Sequence, residues 1–143
     1  MQAIVCAIDE SPATADVVRV AQALATALRG RLVLVHVAPP TETPGVSAAP
    51  AGQERLREEE LADARALLQD VAVRLDAGDA EQRAELGPPA DRIVAIADEE
   101  NAALLVIGSR GRGDVKRLDR AAAAGDAVAR ELAEHRSCPA DLT

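Results

Sequence analysis

Asp9 and the run Gly108-Ser109-Arg110-Gly111-Arg112-Gly113 are the residues of this chain whose types and spacing could do chemistry. A glycine-rich stretch lets backbone N–H groups converge on an anion. Arg110, Arg112, Lys116, Arg117 and Arg120, set against Asp114 and Asp119, give residues 108–120 a local charge of +3. Such a loop behind a buried strand suits a phosphate. A merely solvated loop has the same composition, so these residues alone leave both readings open. Two common phosphate fingerprints fail. Four residues separate Gly108 from Gly113 as in a Walker loop, but Asp114 and Val115 stand where Lys and Ser or Thr belong. The dinucleotide pattern G-x-G-x-x-G is absent, and the loop follows the fourth strand, where that pattern follows the first. Cys6 and Cys138 are far apart and lack metal-ligand spacing, so they read as reduced, partly buried thiols. His36 inside an apolar run and His135 near a helix end read as packing or surface residues. No nucleophile, general-base pair or metal cluster argues for an enzyme, and no metal cofactor is expected.

The elements that must position these residues follow from hydrophobic patterning. Ala3 to Ile8, Leu32 to Val37 and Ala103 to Ile107 are continuous apolar runs, as expected for strands covered on both faces of a parallel sheet. Between the first two, Ser11 offers a cap and Pro12 a first helical position; Val17, Val20, Ala21, Leu24 and Leu28 mark one helical face, and Gly30 closes it. Ala38 to Gly52 is rich in Pro and Gly and reads as a long loop, either functional or flexible. Gln53 to Ala77 is helical, ended by Gly78. Asp79 to Leu86 gives only a hint of alternation and reads as a short edge strand. Gly87-Pro88-Pro89 opens a helix that stops near Asn101. An Ala-rich helix follows residue 120, and a last short strand could begin after Pro139.

Strands alternating with helices imply an α/β fold: a single open, mainly parallel sheet of four to five strands with helices on both faces, Rossmann-like, with residues 1–143 as one domain and 38–52 as a flexible loop. Ligands in such sheets bind beyond the carboxyl ends of the strands. The loops to watch are therefore Asp9 to Pro12, Val37 to Gly52 and Gly108 to Arg120.

Composition excludes several functions. The chain has 143 residues and no Phe, Tyr or Trp, so it cannot stack bases on rings as single-strand readers do. A net charge of −8 opposes nucleic acid as a general partner. All of that excess lies in residues 53–100, and the acidic helix within them reads as a solvated face before it reads as a docking surface. No apolar run is long enough to span a membrane, and the N-terminus has no signal-peptide core, so a cytoplasmic, soluble protein is expected.

IVCAIDES, LVLVHV before a long variable loop, GPPADRIVAIADEENAALLVIGSRGRG and GDAVARELAEHRSCP together resemble the universal stress protein (UspA) family across nearly the whole chain. The resemblance implies an adenine nucleotide alpha hydrolase-like fold, a stress-response role, and ATP or AMP as ligand in one branch of the family. In that branch the motif is G-x2-G-x9-G-[ST]. Carried over by position, Gly108 and Gly111 fill the first two glycines, with Ser109, Arg110, Arg112 and Gly113 in the same loop. The third glycine falls on Ala121; the nearest candidate is Gly125, followed by Asp126 where a hydroxyl belongs. The resemblance further places Asp9 near the adenine and ribose, and Val37 beside the adenine through its backbone. Ala121 adds a Cβ where a phosphate approaches, and Asp126 is an acceptor-only anion. The expected protein is thus a non-catalytic stress-response domain with a weakened or lost nucleotide site and an unknown protein partner. The alternative is an ATP-binding switch that hydrolyses slowly or phosphorylates itself. A phospho-receiver lacks its second Asp and correctly placed Lys. Family members usually form homodimers through the last strand, but Ala140-Asp141-Leu142-Thr143 offers little edge to pair.

Overall fold

The computed structural model describes residues 2–41 and 50–108. Their order is β1 (Ala3–Ala7), α1 (Thr14–Leu28), β2 (Arg31–Ala38), α2 (Pro50–Arg74), β3 (Glu81–Leu86), α3 (Pro89–Glu99) and β4 (Ala102–Ile107). The four strands form one parallel sheet in the order β3-β2-β1-β4. This is the open α/β sheet expected from the alternation of strands and helices. The expected fifth strand falls outside the described residues.

Strand periodicity sorts the core into two layers. Ile4, Cys6, Ile8 and Leu34 point to the face covered by α1 and α2, where they meet Val18, Ala21, Leu68 and Val71. Val5, Val33, Val35, Val37 and Leu105 point to the other, against Ile96 and Ala97 of α3. Helices therefore cover both faces, which is why β1 reads as an unbroken apolar run. Burial pushes the Cys6 thiol up to about 12, so it stays protonated and inert; Cys138 lies outside the described residues.

Several boundaries differ from the sequence expectation for local reasons. Ser11 and Pro12 lie in the turn before α1; the residue at the helix N-cap is Ala13, without a side-chain cap. Arg29, not Gly30, takes the left-handed cap conformation (φ 52°), and the N–H groups of Arg29 and Gly30 close on Thr26 and Ala25. At the other end of the long connection, Ala38 belongs to β2 and Pro50 to Gly52 belong to α2. Gly87 (φ 150°) turns β3 into α3 with Pro88 as N-cap, a backbone angle that a side chain rarely tolerates.

The weak third strand is the sheet edge. On its α3 side it carries Glu81, Arg83 and Glu85 in place of apolar residues. Arg83 bonds Glu85, Glu99 and Glu100; Arg31 bridges Glu81 and Glu100; Arg92 reaches Glu85. The Arg31 hydrogen bond, then the Arg83 contacts, hold the Glu100 carboxyl below the ordinary carboxylate range. A carboxyl lowered on folding contributes stability that is fully present above its unfolded pKa, about 4.3, and is lost as pH falls through the lower folded value. Glu100→Gln is accordingly expected to lower the melting temperature by roughly 3–5 °C at neutral pH. As pH falls through that lower folded value the variant and the parent should converge, and a gap of constant size across the acid range would break the linkage.

Candidate functional site

The carboxyl ends of β1 and β4 lie side by side at the point where the strand order reverses: β2 and β3 step away on one side of β1, and β4 stands on the other. Ala7 pairs with Ile107, which sets the exits of both strands level, so Asp9 and Gly108 leave the same edge. In parallel sheets this is where ligands bind.

Asp9 is held by its own turn. Its Oδ1 accepts the Ser11 N–H at 2.9 Å, and the Thr14 hydroxyl lies 2.7 Å from the Asp9 carbonyl and 3.1 Å from Oδ1. Burial alone would raise this carboxyl, yet the bonds from Ser11 and Thr14 and the nearby His36 charge outweigh it and hold the group below its ordinary value. Asp9 is thus an oriented anion at the start of α1, where the helix dipole favours negative charge. It is placed to accept hydroxyl or amino protons from a ligand.

The β1–β2 ladder stops at this edge. Its last rung is the Ile8 N–H to the Val35 carbonyl, 2.8 Å. Alternation in a parallel ladder then points the Val37 N–H and C=O toward β1, beyond its final paired residue, Ala7. Ala38 turns the other way, its carbonyl accepting the Gly87 N–H at 3.0 Å. The Val37 side chain is buried in the α3-side core, which fixes this backbone firmly. After β2, the Thr41 N–H bonds Glu60 Oε1 at 2.9 Å and ties the outgoing chain to α2.

Gly108 follows β4 directly, and a Cβ there would sit 3.3 Å from Val17 Cγ2 of α1. The missing side chain keeps the floor of the edge low. Asp9, Val37 and Gly108 therefore converge on one edge. Ser109, Arg110, Gly111, Arg112, Gly113, Gly125 and Asp126 lie outside the described residues. Among the described residues no group of three or more His, Cys, Asp or Glu is placed to hold a metal, and no helix is long and apolar enough to cross a membrane.

Sequence reasoning overlooked two residues here. Thr14 is the one buried polar side chain among the described residues, and its hydroxyl serves Asp9; the spacing D-x-S-x-x-T was the available signal. His36, read as a packing residue, places Nδ1 2.8 Å from the Ile8 carbonyl. Its position just before the end of a buried strand was the clue.

A parallel sheet covered on both faces, with an oriented carboxylate and a glycine exit at its switch point, defines the class of α/β domains that take ligands beyond their strand ends. The family model described as the universal stress protein family matches residues 1–140, and the chain belongs to that family. Among solved structures it is similar to a universal stress family protein from Burkholderia pseudomallei, 28% identical over 83% of this chain and 88% of that one, with TM-score 0.58. It is also similar to a universal stress protein in complex with cAMP, 25% identical over 85% and 91%, TM-score 0.61. A third is the universal stress protein from Archaeoglobus fulgidus in complex with dAMP, 25% identical over 82% and 89%, TM-score 0.62. No curated protein matches the chain.

Proposed function

We propose that this chain is a non-catalytic stress-response module that binds an adenine nucleotide by its nucleoside end and holds the phosphates weakly. The observation that carries this reading is the convergence of Val37 backbone groups and the Asp9 carboxylate on the edge beside Gly108. An adenine presents both donors and acceptors, which suits a backbone N–H and C=O pair. A ribose presents hydroxyls, which suit a carboxylate. Two of the similar structures are complexes with adenine monophosphates, cAMP and dAMP. With no Phe, Tyr or Trp in the protein, few rings are on offer for the base to stack on, so hydrogen bonding at Asp9 and Val37 supplies the orientation.

Calorimetric titration tests this directly. AMP and ATP are expected to bind within about tenfold of each other, and Asp9→Ala to weaken both by tenfold or more. ATP affinity exceeding that of AMP by more than about a hundredfold would overturn the weakened phosphate end. Unchanged affinity in Asp9→Ala would overturn the placement of the nucleoside. Incubation with Mg-ATP is expected to release no phosphate and leave no phosphoprotein; release that Asp9→Ala abolishes would instead establish the hydrolysing switch. Because the chain lacks Trp and Tyr, an adenine-like ultraviolet band in the purified protein reports carried-over nucleotide without a label.

A further inference from the structure

We propose that His36 is a positioning residue: its imidazole takes the Ile8 carbonyl, ends the β1–β2 ladder one rung early, and so leaves the Val37 amide turned outward for a ligand. Continued by one residue, the parallel ladder would bond the Val37 N–H to the Ile8 carbonyl, following the rung from the Ile8 N–H to the Val35 carbonyl. That rung is not made; the register between the strands ends at Ala7 and Val35. The Ile8 carbonyl instead lies 2.8 Å from His36 Nδ1. A carbonyl only accepts, so Nδ1 carries the proton in this contact.

The arrangement has a direct consequence for the edge. Ile8 immediately precedes Asp9, and His36 immediately precedes Val37, so one side-chain bond sets the exits of both strands. Take the imidazole away and the Ile8 carbonyl, whose residue is only 5% exposed, needs another donor. The nearest in the ladder is the Val37 N–H itself. Closing that rung would occupy the donor, and any ligand acceptor would then have to displace an internal bond. This inference rests on the adenine reading for the identity of the ligand, but the claim about the ladder stands on the protein alone.

The two parts are tested separately. Amide hydrogen exchange at Val37, followed by NMR without ligand, is compared in the parent, His36→Leu and His36→Asn; the Asn side-chain amide can occupy the place of Nδ1 and donate to the same carbonyl. In His36→Leu the Val37 amide is expected to exchange at least about tenfold more slowly, with Val35 unchanged, and His36→Asn to restore the parent rate. AMP affinity should fall about tenfold in the Leu variant and recover in the Asn variant. Val37 exchange that is equal in parent and Leu variant, or an Asn variant indistinguishable from Leu, overturns the positioning role. Should the parent bind no AMP, the adenine reading falls, while the exchange rates still decide the role of His36.

Discussion

Substituting Gly30 by alanine is expected to destabilise the fold by about 1–3 kcal/mol, whereas the same change at Gly78 is expected to stabilise it by ~0.4–1 kcal/mol. Both glycines follow helices and look alike in sequence. At Gly30 an added Cβ would stand 2.6 Å from the Gln2 carbonyl oxygen and 3.5 Å from Ile4 Cγ1. That oxygen cannot retreat freely, because it accepts the Arg31 N–H at 2.8 Å in the bond that starts the β1–β2 ladder. The clash is therefore with backbone at the amino-terminal edge of the two inner strands, and relief requires moving the start of β1. At Gly78 nothing lies within 4 Å, and its φ is not in the left-handed region. Alanine there restricts the unfolded chain at no steric cost. Urea midpoints of the two variants measured side by side decide the matter; equal shifts of the same sign would show that Gly30 serves only as a helix terminator.

Gly30 also illustrates what was legible in the sequence. A glycine at the end of an amphipathic run predicts a helix stop, and α1 does stop there. The left-handed residue is nevertheless Arg29, with Asp76 and Asn101 in the same conformation after α2 and α3. Local sequence places the stop; the contact with Gln2, from a distant part of the chain, decides which residue must lack a side chain. β3 teaches the same lesson. Periodicity barely marks it, because Glu81, Arg83 and Glu85 occupy the face an ordinary strand would give to Val or Ile. Their partners come from two other elements, Arg31 from β2 and Arg92, Glu99 and Glu100 from α3 and its C-cap. Read along the chain these charges show no pattern, whereas in the fold Glu81, Glu85, Glu99 and Glu100 join Arg31, Arg83 and Arg92 in a cross-element lattice.

The site was legible where it depends on topology. Once the strands alternate with helices, the reversal of strand order fixes the edge that Asp9 and Gly108 share, and both were named from sequence. Thr14 and His36 were not, because their roles rest on where hydrogen bonds end. Thr14 sits in a helix and His36 in an apolar strand, so each looks like a packing position. The truncated ladder gives the imidazole its carbonyl, and the turn after β1 gives the hydroxyl the Asp9 carbonyl and carboxylate.

The second large effect concerns the phosphate end. Asp126→Ser is expected to raise ATP affinity about tenfold or more, AMP affinity less, and adenosine affinity hardly at all. In the family motif the position after the third glycine carries a hydroxyl, which donates to an anion; Asp126 has only acceptor oxygens and a negative charge. Two unit charges about 4 Å apart near a protein surface repel by up to ~4 kcal/mol, and salt and relaxation reduce this, so a tenfold gain is a modest expectation. The gradation across the three ligands separates this effect from a general change in the fold, since a serine that acted only through stability would shift all three alike. The gain should also shrink as ionic strength rises, as a charge effect must. Ala121→Gly probes the other departure from the motif, the Cβ at the third-glycine position. If that variant restores ATP binding and Asp126→Ser does not, backbone geometry is the obstacle. If neither alters the ratio of ATP to AMP affinity, the phosphate end was never weakened by these residues, and the five basic side chains between Arg110 and Arg120 already supply what a phosphate needs.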